Sequence, residues 1–193
     1  MAKEHQINHL KEWLDAASAY DPIEWERLPE LELYMDQVIT FLNKQLELFT
    51  MDGERLLTPS MINNYVKDGV LPRPVQKKYG REHLAMLMII YMLKPVLSLP
   101  EIDATLQGLT PGDRSIKEVY PDFLEKQKAS LKTVVERVKN APDQEDDTLY
   151  RLALELALEA NACHVTAARL LDCLMEREEN REKEKGKEKN KKG

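Results

Sequence analysis

From Leu149 to Met175 the chain is apolar on most sides of a helix. Leu149, Leu152, Leu156, Ala160, Cys163, Ala167, Leu170 and Leu174 form one stripe at helical spacing, and Leu154, Leu158 and Leu171 form others. A helix of this kind calls for cover from several directions, which points to a largely helical fold. Its apolar surface exceeds what one neighbouring helix covers, and such an excess is unusual on a monomer, so the pattern predicts a homodimer through the C-terminal helices. Only 7 Gly occur in 193 residues, while Leu, Glu and Lys are plentiful, which leans the same way.

Residues 176–193 hold eight Lys/Arg and six Asp/Glu and read as a low-complexity, disordered tail. The remainder, about 175 residues, suffices for a real core but not for a large multidomain enzyme. Hydrophobic residues at 42% with 32% charged exclude a disordered protein over most of the length. The longest apolar run, Leu84 to Leu93, would make about 15 Å of helix against a hydrocarbon core of about 30 Å, so no membrane span is expected. The start, Met-Ala-Lys-Glu-His-Gln, has no signal-type apolar segment. Cys163 and Cys173 neither frame a disulfide scaffold nor have a zinc spacing. A cytoplasmic chain without cofactor or metal is the expectation.

Charge is unevenly placed. Residues 1–54 carry four basic and twelve acidic side chains. Residues 55–94 carry seven basic (Arg55, Lys67, Arg73, Lys77, Lys78, Arg81, Lys94) against Asp68 and Glu82. The net charge is −6, so this basic island stands in an acidic chain. It reads either as the local footprint of a nucleic-acid partner or as a solvated face.

Apolar spacing predicts helices over Ile7 to Ser18, Leu31 to Phe49, Arg81 to Lys94 and Phe123 to Val138. Met51-Asp52-Gly53 should end the second of these. Thr58-Pro59 opens a short helix, with Thr as N-cap and Pro at the first position, and Gly69 closes it. The stretch from Val70 to Tyr79 contains Pro72 and Pro74 and has no helical period, so it reads as a loop or small hairpin. Ser98-Leu99-Pro100-Glu101 is a capping box that starts another helix, and Asn140 to Asp147 is an acidic loop.

The run Leu57-Thr58-Pro59-Ser60-Met61-Ile62-Asn63-Asn64-Tyr65-Val66-Lys67-Asp68-Gly69-Val70-Leu71-Pro72, followed by Lys77-Lys78-Tyr79 and Leu99-Pro100-Glu101-Ile102, resembles a MerR-type winged helix-turn-helix. With Met35-Asp36-Gln37-Val38 it also resembles the bacterial family catalogued as domain of unknown function 1836, over about residues 28 to 110. That family has no assigned activity to carry over. The resemblance implies an all-α fold with a small β-wing: recognition helix at 59–68, wing at 70–80, and a supporting helix pair at 81–94 and 99–107. It divides the chain into an N-terminal helical segment (1–27), the winged domain (28–110), a C-terminal dimerisation or sensing region (111–176) and the tail (177–193).

On a helix from Pro59, the side chains of Met61, Ile62, Tyr65 and Val66 anchor inward while Ser60, Asn63, Asn64 and Lys67 face outward. Asn can pair bidentately with adenine, and Lys and Ser suit phosphates or guanine edges. Arg73, Lys77, Lys78 and Tyr79 on the wing, with Arg81 behind it, complete the expected DNA-binding set. The implied function is a transcriptional regulator with double-stranded DNA and itself as partners. The alternative is a protein-interaction adaptor that keeps the fold without DNA binding. A third reading, an enzyme with a pocket between the helical regions, finds no phosphate-binding loop, nucleophile elbow or zincin motif in its support. His5 and His9, four residues apart, read as chance neighbours on an exposed helix. Cys163 reads as inert core, because adjacent Cys163 and His164 point to different faces.

Overall fold

The computed structural model describes residues 2–50, 57–112 and 114–191. Among them are seven α-helices: α1 (Ala2–Ser18), α2 (Met35–Leu46), α3 (Pro59–Lys67), α4 (Arg81–Leu93), α5 (Leu99–Leu109), α6 (Ile116–Val138) and α7 (Asp146–Lys191). Three single 3-10 turns lie at Trp25–Arg27, Glu47–Phe49 and Ala141–Asp143. No helix is long and apolar enough to cross a membrane among the described residues.

Local chemistry sets the helix ends. The Met61 N–H donates to the Thr58 hydroxyl at 3.3 Å, with Pro59 at the first helical position where no donor is needed. Gly69, at φ +82°, takes the left-handed conformation that stops α3. At α5 the Ser98 N–H donates to the Glu101 carboxylate at 2.7 Å and the Glu101 N–H to the Ser98 hydroxyl at 3.4 Å. Hydrogen bonding to the carboxylate from the Ser98 side chain, and then from the Ser98 backbone N–H, holds the Glu101 carboxyl below its usual range. The expected stop at Met51-Asp52-Gly53 lies outside the described residues.

Two cores result. The larger gathers Ile23, Trp25, Leu28, the inner faces of α2 to α5 and the first half of α6 up to Leu124. Its centre is α4, where Leu84, Ala85, Leu87, Met88, Ile89 and Ile90 are all buried. That is why its sequence is apolar on nearly every side. The smaller core joins Leu14 and Ala17 of α1 to Val135 and Val138 of α6, with Leu149, Leu152 and Leu156 of α7 packed against it. Helix α6 belongs to both, so it is the spine between them.

The small β-wing implied for 70–80 is absent, and the MerR-like winged helix-turn-helix falls with it. There is no β-strand among the described residues, only the isolated bridges Leu33–Tyr79 and Val75–Lys78. Pro72 and Pro74 remove two of the N–H groups a ladder would need. The segment instead makes one tight turn, with the Lys78 N–H on the Val75 carbonyl at 2.9 Å and Gln76 and Lys77 at φ +51° and +62°. After the bridged residues Lys78 and Tyr79, the chain passes through Gly80, the N-cap, into α4 at Arg81. The fold is all-α.

Helix α7 departs from expectation in the other direction. Its sequence calls for burial on several sides, yet none of its described side chains is fully buried. Its first turns lie on α1 and α6, and α5 touches it further along. The rest of its circumference is open. The helix also continues as far as Lys191 through the stretch after Arg177 for which composition predicts disorder. Lys183 and Glu179, one turn apart at 3.2 Å, show the kind of pairing that supports it.

Candidate functional site

Nine residues of the basic island and its helix were expected to form one nucleic-acid surface, and the fold separates them. Ser60, Asn63, Asn64 and Lys67 are exposed on α3, whose opposite side buries Ile62 and Tyr65. Arg73 and Lys77 are exposed in the 70–80 loop. Lys78 is half-buried, with its ammonium 5.7 Å from the centre of the Tyr34 ring. Tyr79 is buried, edge-on to His83 at 5.4 Å, and its backbone exchanges two 2.9 Å hydrogen bonds with Leu33. Arg81 turns inward: its guanidinium donates to the carbonyls of Leu28 (3.0 Å) and Glu26 (3.3 Å) and to the Glu30 carboxylate (3.2 Å). Arg55 lies outside the described residues. With no wing to grip the backbone beside α3, the winged-helix mode of DNA binding has no structure to act through, and double-stranded DNA is withdrawn as the partner.

Beneath this surface the loop is fastened to α4. The Gly80 N–H donates to His83 Nδ1 at 3.2 Å, which leaves the ring proton on Nε2. Burial pushes the His83 pKa below its ordinary value, against the opposing pull of the Pro72 carbonyl and of Glu82 and Glu32. These groups hold structure.

A cleft of about 470 Å³ lies between the 21–26 segment and α6, with Trp25, Pro121 and Leu124 in its wall and Asp21, Glu24 and Glu125 among its lining carboxylates. Asp21 is bound to Lys128 at 2.7 Å, which holds its carboxyl below the usual range. Nearby Tyr20, pushed up to about 12 by burial and by Asp21, keeps its proton. No group of three His, Cys, Asp or Glu side chains that could hold a metal occurs among the described residues.

The most distinctive surface is on α7. Tyr150, Leu154, Leu158 and Val165 are 79%, 59%, 61% and 50% exposed. At 3.6 residues per turn they fall within about 80° of arc, on the side away from Leu149, Leu152 and Leu156. Further along, Leu170 and Leu174 are exposed as well. Sequence spacing alone assigns these leucines to a buried helix. The flanking charges are the signal against it. Asp147 with Arg151 and Arg169 with Asp172 form ion pairs within one turn at either end of the outward stripe (2.7 and 3.8 Å), and charges so placed stay in water.

The family model described as domain of unknown function (DUF1836) matches residues 23–123. No curated protein and no solved structure matches the chain. The matched span coincides almost residue for residue with the larger core, which begins at Ile23 and ends at Leu124. Helix α1, the second half of α6 and α7 lie outside it and build the smaller core. The chain therefore belongs to the DUF1836 family.

Proposed function

We propose that the chain is a non-enzymatic protein-interaction module: the family domain is a rigid platform, and the outward apolar face of α7 is its contact surface. The observation that carries this reading is the exposure of Tyr150, Leu154, Leu158 and Val165 along one side of a single helix. A contiguous apolar stripe rimmed by charge marks a protein contact on a water-soluble surface. Covering the exposed three-fifths of Leu154 or Leu158 would contribute about 1–2 kcal/mol each. The matching occupant is another amphipathic helix, whose apolar ridge packs along the stripe. A cytoplasmic setting belongs to the same proposal, because Cys163 and Cys173 are exposed free thiols, which persist in a reducing compartment.

The test is photo-crosslinking in cells, with a photoreactive side chain placed at Leu158 or, as a control, at Asn63. The module reading expects a polypeptide adduct at Leu158 and none at Asn63. Adducts at Asn63 alone, or none at Leu158, would reject it.

A further inference from the structure

The cleft between the 21–26 segment and α6 holds an unused donor. Trp25 is only 7% exposed and stands in the wall with Pro121 and Leu124. Its ring packs edge-on to Tyr120. Its indole N–H donates to no group among the described residues, yet it is not sealed from solvent. With the rest of the side chain covered, that N–H opens on the cleft. A donor set so deeply calls for an acceptor that the chain itself does not supply. The other indole, that of Trp13, has one in the Leu48 carbonyl at 3.1 Å.

The same cleft is negative. Asp21 is already engaged, by Lys128 at 2.7 Å and by Arg27 at 3.9 Å. Glu24 and Glu26 on one side and Glu125 on the other are exposed and make no ion pair among the described residues. Lys126, next to Glu125, is held by Asp122 at 2.6 Å. Three carboxylates therefore flank an apolar floor with no cation of the chain's own between them. That combination attracts a cation on an apolar stem and repels acidic partners.

We propose that the cleft is a binding site for an arginine side chain of a partner polypeptide. The methylene stem lies on Trp25, Pro121 and Leu124, and the guanidinium reaches Glu24, Glu26 and Glu125. A carbonyl of the same peptide accepts the Trp25 indole N–H. A free polyamine would meet the charge but brings donors only, whereas a peptide brings both groups. A planar fork of donors also suits carboxylates on two sides better than a point ammonium does. At about 470 Å³ the cleft has the size of a small-ligand site, so it takes one such residue with its neighbours rather than a folded domain. All the residues lining it lie outside α7. The site is thus separate from the α7 contact surface, and the test of one does not decide the other.

The chain has two Trp, so an NMR spectrum of the nitrogen-labelled full chain holds two indole N–H signals, and Trp13→Phe identifies that of Trp25. Titration with the blocked tripeptide acetyl-Gly-Arg-Gly-amide should move the Trp25 signal downfield to saturation, as a new acceptor requires, and leave the Trp13 signal in place. The same peptide with citrulline for arginine keeps the shape without the charge, and should bind about tenfold more weakly because three solvated ion pairs are lost. Glu125→Gln should weaken the arginine peptide about threefold. Glu24→Gln, Glu26→Gln and Glu125→Gln together should reproduce the citrulline loss, with the remaining amide signals showing the fold unchanged. A Trp25 signal that the arginine peptide does not move, or that the citrulline peptide moves at equal concentration, would overturn the proposal. Spermidine saturating that signal as tightly as the peptide would overturn the polypeptide as occupant.

Discussion

The hydroxyl of Tyr120 donates to the carbonyl of Ile23 at 3.0 Å, joining residues 97 positions apart. The same oxygen lies 3.2 Å from the Met88 sulfur, and the ring packs edge-on to Trp25. Both partners stand at the limits of the span matched by the family model, so this one bond closes the domain on itself. Burial raises the Tyr120 pKa well above that of a free phenol, so the hydroxyl remains a donor at any working pH. Tyr120→Phe keeps the ring and strands the Ile23 carbonyl. It should lower unfolding free energy by about 1–3 kcal/mol, read as a shift in urea midpoint at constant slope.

Arg81 fastens the start of α4 to the 26–30 segment through two carbonyls and a carboxylate. A lysine ammonium is a point donor and cannot reproduce that fork. Arg81→Lys should therefore destabilise by about 1–2 kcal/mol although charge is conserved. Glu30→Gln should cost much less, because Glu30 is largely solvated. Equal losses from the two substitutions would mean that the ion pair, not the carbonyl clamp, carries the effect.

His83 gives the fold a specific acid sensitivity. Its folded pKa lies below the unfolded value of 6.5 because burial opposes the imidazolium. Above that pH both states are neutral and the difference contributes nothing. Below it the unfolded chain takes up a proton that the folded chain resists, so stability falls as pH drops toward the folded pKa and the loss then levels off. His83→Asn, whose Oδ1 can accept the Gly80 N–H, should flatten this part of the pH profile. Urea midpoints at about pH 7.5 and about pH 5, for both proteins, test it, and an unchanged slope in the variant would exclude His83 as the cause.

Legibility in the sequence followed how local the governing physics is. The Thr58-Pro59 start, the Gly69 stop and the Ser98–Glu101 box were readable because each end is decided within four residues. The extent of α6 was not. Its apolar spacing points to a start at Phe123, yet it begins at Ile116, because Pro121 in the second turn removes only one ladder bond. The wing failed because the resemblance lent 70–80 a ladder that Pro72 and Pro74 do not permit. Within the candidate surface, the exposure of Ser60, Asn63 and Asn64 follows from helical phase alone. The inward turn of Arg81 depends on carbonyls more than fifty residues away, which no local pattern encodes. Helix α7 was misjudged because periodicity reveals which faces are apolar, not which neighbours are available to cover them.

The most direct test of α7 as the contact surface is amide hydrogen exchange across the full chain, free and bound to the polypeptide trapped at Leu158. The account predicts slowed exchange in peptides covering 150–168 and no change over 59–80. Slowed exchange over 59–80 with 150–168 unaffected would place the contact on α3 and the neighbouring loop and contradict it.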